Sequence, residues 1–251
     1  MPSFFEDVVL DLDLDIVIAL GALAGSLVSG FAGFAFSATS LGIWAHALSP
    51  SLAVPMVVAC SLIVQLMTLP GIWRSLDLKT ALPFIAGGVV GVPIGASILG
   101  VLDAQVFRTI VGVMLVLYVV AVFVAGRLPE IRSSSLPVIV LVGFGGGIMG
   151  GFAGLSGILP TIWCSLMKWS KDRQRATFQV FNLSMHTLTL IVYGLSGGLG
   201  SGLVKPLMIA IPMMILGSAI GFALYRRVDE RQFKTALLIL LGFAGLTLLI
   251  Q

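Results

Sequence analysis

Two sets of polar side chains lie inside apolar segments of this sequence, and their spacing places each set on one face of a helix. Gln179, Asn182 and His186 follow one another at i, i+3 and i+7. Ser61 and Gln65 are related as i and i+4, which is again one helical face. Inside a membrane such groups bind a polar or ionic ligand, or they hydrogen-bond neighbouring helices as packing contacts. The spacing leaves both interpretations open.

Small hydroxyl residues form a second set of candidates, because they follow a repeated glycine motif. Gly-Phe-Ala-Gly occurs at residues 30–33 and again at 151–154. Hydroxyl side chains come after both copies, namely Ser37, Thr39, Ser40, Ser156 and Thr161. We expect each motif to break a helix. The N–H groups at the start of the helix that follows, together with its dipole, would favour an anion.

The acidic residues support an anionic substrate, since none lies deep in an apolar segment. Metal ions and amines are bound inside membranes by such carboxylates. We therefore expect a small anionic or polar substrate, no metal site and no cofactor. Cys60 and Cys164 lie in apolar surroundings and are expected to pack in the core.

The composition indicates an all-α integral membrane protein without a soluble domain. Of the 251 residues, 58% are hydrophobic and 10% are charged, whereas a soluble domain carries about 25% charged residues. The mean hydropathy is +1.12. The net charge of +3 is assigned to basic residues that anchor loops at a lipid bilayer. Nucleic acid is not expected as a partner, and the sequence leaves the oligomeric state open.

Eight apolar stretches are predicted, and two of them are too long for one crossing. Six are ordinary spans, at residues 51–69, 80–99, 104–125, 177–195, 203–225 and 233–250. The other two cover residues 16–48 and 136–167, and each contains one copy of the glycine motif. A straight helix of that length would extend well beyond a hydrocarbon core of about 30 Å. Each long stretch is therefore predicted to be a re-entrant hairpin or two short helices, which gives ten segments in total.

A second short match indicates that the chain is an internal duplication. Residues 101–109, "VLDAQVFRT", align with residues 227–235, "RVDERQFKT", in the same order as the glycine motifs. The predicted organisation is an acidic N-terminal tail at 1–15, a first repeat at 16–126, a linker at 127–135 and a second repeat at 136–251. The tail holds no Lys or Arg, so we expect no cleaved signal peptide.

The distribution of basic residues predicts that the two repeats have opposite orientations. If each long stretch enters and leaves on the same side, one face of the membrane holds every Lys and Arg except Arg108 and Lys205. This is a strong positive-inside signal. It predicts that the linker is cytoplasmic and that both termini are extracytoplasmic. Paired broken helices in inverted repeats are typical of a transport site near the membrane midplane.

Several residues receive roles in this predicted site. His186 is a candidate proton carrier, because histidine as a residue type titrates near neutral pH. Trp163 follows the second break. Arg173 and Arg175 either draw anions to the cytoplasmic mouth or only anchor the topology. The candidate substrate-binding residues are Gly30, Gly33, Phe34, Ser37, Thr39, Ser61, Gln65, Gly151, Gly154, Ser156, Thr161, Trp163, Gln179, Asn182 and His186.

The second glycine segment, "GGFAGLSGILPTIW", is followed by a basic loop and then "RATFQVFNLSMHT". This order resembles the sulfite exporter TauE/SafE family of membrane permeases, and the likeness covers most of the chain. The resemblance implies export of small sulfur-containing or organic anions, such as sulfite or sulfonates, across the bacterial inner membrane. It singles out Gly151, Gly154, Ser156, Gly157, Pro160 and Asn182. The first copy departs from the pattern, because Phe34 and Phe36 make it bulkier. A substrate with an organic part would suit that side.

Two other classes of protein remain as alternatives. "GLSG" at residues 154–157 matches a nucleophile motif of rhomboid intramembrane proteases, with His186 as the base of Ser156. An inverted duplication has no place in that fold. A passive anion channel is the nearer alternative, because two opposed broken helices also form channels.

Overall fold

The computed structural model describes residues 2–32, 35–69, 78–125, 135–225 and 230–250, and these residues are almost entirely helical. The fold class predicted from the composition, an all-α integral membrane protein, is confirmed. The helices are α1 (Pro2–Ala32), α2 (Phe36–Trp44), α3 (Pro50–Thr68), α4 (Leu78–Leu99), α5 (Ala104–Ala125), α6 (Leu136–Ala153), α7 (Ile158–Leu166), α8 (Lys171–Leu195), α9 (Val204–Tyr225) and α10 (Glu230–Ile250).

Within the part of the chain that the structure describes, six helical segments are long and apolar enough to cross a membrane. They are Asp13–Phe31, Pro50–Thr68, Leu78–Leu99, Ala104–Ala125, Leu136–Ala153 and Val204–Leu224. Helix α8 has 25 residues and is also long enough to cross, but its polar face keeps it outside that set. Helix α1 begins at Pro2, so the acidic residues near the N-terminus belong to the first helix.

Both glycine motifs end a helix, as the sequence predicted, and the chain then turns back on itself. Helix α2 runs back along α1, because the Ser40 hydroxyl donates to the Gly21 carbonyl at 2.9 Å. The Trp44 indole N–H lies 3.2 Å from the Ile18 carbonyl, nearer the start of α1. Each long stretch is therefore a helical hairpin. Helix α7 runs back along α6 in the same way, since a Cβ on Gly146 would lie 3.2 Å from the Pro160 side chain, and one on Gly150, nearer the turn, 2.9 Å from the Ser156 side chain.

The two halves interlock through glycine-lined helix pairs. A Cβ on Gly91 of α4 would overlap the Phe144 carbonyl of α6, and a Cβ on Gly95 would overlap the Ile148 carbonyl. From Gly91 to Gly95 along α4, the contacts move from Phe144 to Ile148 along α6. The two helices therefore run parallel. Helices α1 and α9 pack in the corresponding way, with Gly221 against the Leu27 backbone. The first helix of each half thus lies against the fourth helix of the other half.

Contacts at the helix ends place several termini on one side of the molecule. Lys205 at the start of α9 forms an ion pair of 3.2 Å with Asp15 in α1. His46, after α2, hydrogen-bonds Thr247 near the end of α10 at 3.0 Å. The Arg108 Nε donates to the Ala45 carbonyl at the end of α2 at 2.9 Å, where a cation also complements the helix dipole. The two basic residues expected on the sparsely charged face therefore lie on the same side.

Candidate functional site

Helices α2 and α7 have nine residues each, and both begin at the same cavity between the two halves. The cavity volume is about 40 Å³. It is lined by Ala35, Ser37, Ala38, Tyr118, Gly154, Leu155, Ser156, Gly157, Ile158, Thr161, Asn182 and His186. None of these lining residues carries a fixed charge.

The backbone at the two breaks aims both helix N-termini at this cavity. Gly154, the residue after α6, has φ of 70°, and Ala35, the residue before α2, has φ of 73°. A left-handed residue cannot continue a helix, so the chain reverses there. The first N–H groups of a helix lack intrahelical partners. The starts of α2 and α7 therefore direct two positive dipole ends at one volume. At α7 the Ile158 N–H donates to the Leu155 carbonyl at 3.3 Å, and Pro160 has no N–H.

Side chains of the second half form a hydrogen-bonded group at the start of α7. The Ser156 hydroxyl donates to the Asn182 Oδ1 at 2.9 Å. The His186 Nε2 lies 3.2 Å from the Gly154 carbonyl and 3.4 Å from the Ser156 hydroxyl. Gly157 allows this approach, because a Cβ there would lie 2.9 Å from the Asn182 Nδ2. The polar face of α8 is thus fixed against the α6–α7 turn.

The first half supplies a matching group from α2 and α3. The hydroxyls of Ser37 and Ser61 are 2.7 Å apart. The Gln65 Nε2 donates to the Ser61 carbonyl at 3.2 Å and lies 2.7 Å from the His186 Nδ1. The two polar helix faces that the sequence indicated therefore meet, at Gln65 and His186, beside the cavity.

Tyr118 of α5 is a lining residue that the sequence analysis missed. It is buried, with 5% of its surface exposed, and it adds a phenol to an otherwise small-residue cavity. Helix α5 is apolar along its whole length, so the sequence predicts only an ordinary membrane span at residues 104–125. A tyrosine in the middle of such a helix is the available signal, because a buried phenol usually needs a hydrogen-bonding partner.

Seven of the described candidate residues lie outside the cavity lining. Two of them are Ser61 and Gln65, whose hydrogen bonds lie beside it. Gly30 packs against the backbone of Ser218 in α9, and Gly151 packs against α4. The Gln179 Nε2 donates to the Thr68 hydroxyl at 2.8 Å, so it joins α8 to the end of α3. The hydroxyl of Thr39 and the indole N–H of Trp163 are buried without a hydrogen-bond partner among the described residues. Two further candidates, Gly33 and Phe34, lie outside the described residues.

The structure also locates Arg173 and the two cysteines. The Arg173 guanidinium lies over the Trp169 ring, 4.1 Å from its centroid, near the start of α8. The side chain of Arg175 lies outside the described part of the structure. Cys60 and Cys164 are both buried and unpaired, as expected for residues that pack in the core.

The hydrogen-bond directions oppose the protease alternative. A catalytic base must accept the proton of the serine hydroxyl. The Ser156 hydroxyl donates instead to Asn182, and the His186 Nε2 faces the Gly154 carbonyl, which can only accept. The Nδ1 of His186 meets the Gln65 amide, where a triad would hold a carboxylate.

Comparison with known proteins places the chain in a family. No curated protein and no solved structure matches it. A protein-family model described as Sulfite exporter TauE/SafE matches residues 17–248, which is nearly the whole chain and includes both hairpins and the cavity. The family consists of membrane transporters. The chain therefore belongs to the sulfite exporter TauE/SafE family.

Proposed function

We propose that this protein is a secondary transporter that exports a small organic or sulfur-containing anion, such as sulfite or a sulfonate. The observation that carries the proposal is the convergence of two helix N-termini on one uncharged cavity. Each N-terminus is equivalent to about half an elementary positive charge. Two of them therefore suit the head group of one anion without a basic side chain.

The lining residues support a small oxyanion. The cavity volume of about 40 Å³ exceeds the roughly 10–15 Å³ that one water requires, but it leaves no room for a large ligand. Ser37 and Thr161 supply hydroxyl groups and Asn182 supplies an amide donor. The Ser156 hydroxyl donates to the Asn182 Oδ1 and so holds that amide in place. Ala35 and Ile158 add an apolar side that would accept a short organic part.

The interlocked inverted halves support alternating access. Each half contributes one hairpin to the cavity, and the polar faces of α3 and α8 meet beside it at Gln65 and His186. Rocking one half against the other would open the cavity to either side in turn. We place the protein in the bacterial inner membrane. The face that carries Arg108 and Lys205 would be extracytoplasmic, together with both termini, because the other basic residues lie on the opposite face.

Ligand-dependent thermal stabilisation of the purified protein tests the anion site. The panel contains sulfite, sulfoacetate, taurine, isethionate, acetate and sulfate, with choline as a cationic control. An anion at 100 times its dissociation constant adds about 2.7 kcal/mol of stability, which is a readily measured shift. Stabilisation by one anion supports the proposal, whereas stabilisation by choline alone, or by no compound, contradicts it.

Counterflow in proteoliposomes separates a transporter from a passive channel. External labelled anion should accumulate transiently in vesicles preloaded with the same unlabelled anion, because a carrier exchanges one for the other. Flux should also saturate at low anion concentration. Flux that is linear in concentration and shows no counterflow would favour the channel.

A further inference from the structure

The hydrogen bonds of His186 fix where its single proton lies. Its Nε2 faces the Gly154 carbonyl at 3.2 Å, and a carbonyl can only accept, so Nε2 bears a hydrogen. Its Nδ1 lies 2.7 Å from the Gln65 Nε2, which can only donate, so Nδ1 bears none. The ring in this structure is therefore neutral.

Gln65 is arranged so that it can also serve the protonated ring. Its Oε1 is buried and has no hydrogen-bond partner among the described residues, which is uncommon for a buried acceptor. The two arms of a carboxamide have nearly the same shape. Rotation about the last side-chain bond would bring Oε1 to Nδ1, where it would accept a hydrogen bond from a second N–H on the ring. The same rotation would break the hydrogen bond from Nε2 to the Ser61 carbonyl, so the new bond to the ring replaces one to the backbone.

The surroundings of His186 hold no charged side chain among the described residues. Its contacts are Gln65 on α3 and Gly154 and Ser156 at the α6–α7 turn. Helix α4 packs against the adjacent part of α8 through Gly88, which is close to Met185. The Tyr118 phenol of α5 lines the same cavity. The other buried titratable groups described on α3 and α8 are the Cys60 thiol and the Tyr193 phenol, which donates to the Gly151 carbonyl.

We propose that His186 is the proton site of a proton-coupled transport cycle. The proton binds at Nδ1 when an anion occupies the cavity that His186 lines, Gln65 rotates to accept from it, and proton and anion cross together. The proton comes from water on one side and returns to water on the other, so nothing is oxidised or reduced. This inference rests on the proposed anion transport.

Two physical arguments support the coupling. An anion in a cavity without a charged side chain is stabilised by a positive charge nearby, and the attraction is strong away from bulk water. The Gln65–His186 contact also joins the two halves of the molecule. A proton on His186 would therefore change the hydrogen bond between the two halves, at the interface that must rearrange during alternating access.

Calorimetric titration in two buffers of different ionisation heat measures the protons taken up per anion bound. The probes are sulfite, sulfoacetate and isethionate, and the proteins are wild type, His186→Gln and Thr189→Val. Thr189 is a matched control, because it is buried on α8 one turn from His186, and its hydroxyl has no hydrogen-bond partner among the described residues. Subtracting the His186→Gln result from wild type also removes the anion's own proton exchange.

Wild type and Thr189→Val should take up close to one proton per anion more than His186→Gln, at a pH where the free protein is unprotonated and the anion complex is protonated. His186→Gln should also bind the anion more weakly. Anion binding without proton uptake in wild type, or equal uptake in His186→Gln, would overturn the proton site and leave the transporter standing. No binding of any anion would remove both proposals.

A measurement on wild type alone covers the case in which His186→Gln does not fold. Uptake of one proton makes anion affinity fall by up to about tenfold for each unit of rising pH, once the free protein is unprotonated. A pH-independent affinity for an anion that stays fully ionised would contradict the proposal.

Discussion

Gln65 and His186 are hydrogen-bonded at 2.7 Å although they lie 121 residues apart in the chain. The same offset relates the two copies of Gly-Phe-Ala-Gly and also relates Ser61 to Asn182. The contact therefore joins equivalent positions of the two halves. Residues related in this way meet each other only near the axis that relates the halves, so the pair marks the centre of the molecule.

Removal of the Asn182 carboxamide should weaken anion binding. Asn182 orients the Ser156 hydroxyl and lines the cavity, and a hydrogen bond to a charged group contributes about 1.5–3 kcal/mol. Asn182→Ala is thus expected to bind the anion about 10- to 100-fold more weakly in thermal-shift titrations. Ser196→Ala is the control, because that exposed hydroxyl only bonds the Val192 carbonyl and should leave affinity unchanged. Equal affinities in the two variants would exclude Asn182 from the site.

The left-handed backbone at Gly154 should make that glycine sensitive to substitution. Its φ is 70°, and a Cβ there would lie 2.8 Å from the Val57 side chain. Gly197 has φ of 71° but open space around it. Gly197→Ala should therefore lower the stability of the protein only by the cost of a left-handed alanine, about 1–2 kcal/mol. Gly154→Ala should lower the stability further and should weaken anion binding as well. Similar falls in apparent melting temperature would mean that the Val57 contact has no effect.

The close packing of α4 on α6 predicts that Gly91 tolerates no side chain. A Cβ on Gly91 would overlap the Phe144 carbonyl, which belongs to backbone and cannot move away cheaply. Gly91→Ala should lower the apparent melting temperature by several degrees and reduce transport. Gly100→Ala, at the end of the same helix, meets nothing closer than 3.5 Å and should behave as wild type. A stable Gly91→Ala protein would contradict the interlocked arrangement of the halves.

Cysteine accessibility should reveal the orientation in the membrane. Val101 is 82% exposed in the turn between α4 and α5, on the face of Arg108, whereas Ser170 is exposed at the opposite end, before α8. A membrane-impermeant maleimide is expected to label Val101→Cys in intact cells and Ser170→Cys only after permeabilisation. Cys60 and Cys164 are buried and should give little background. The reverse labelling pattern would invert the proposed topology.

Particular residues show how far sequence reasoning reached. The break at each Gly-Phe-Ala-Gly was predictable, because a straight helix over residues 136–167 would be too long for the bilayer. Helical spacing indicated the polar faces that carry Gln65 and His186, but it did not predict that these two residues contact each other. Tyr118 was not predicted. A tyrosine within an apolar helix indicates a need for a polar partner, but it does not show whether that partner is a cavity or a neighbouring helix.

The sequence by itself determined the membrane fold class, the two broken helices and the polar faces of α3 and α8. These follow from local composition and helical periodicity, which act within one segment. Only the tertiary structure decided that Gln179 and Trp163 lie away from the cavity while Ser37, Tyr118 and Thr161 line it. That choice depends on how the halves interlock through Gly91 and Gly221, because close helix packing fixes the rotation of every helix about its axis.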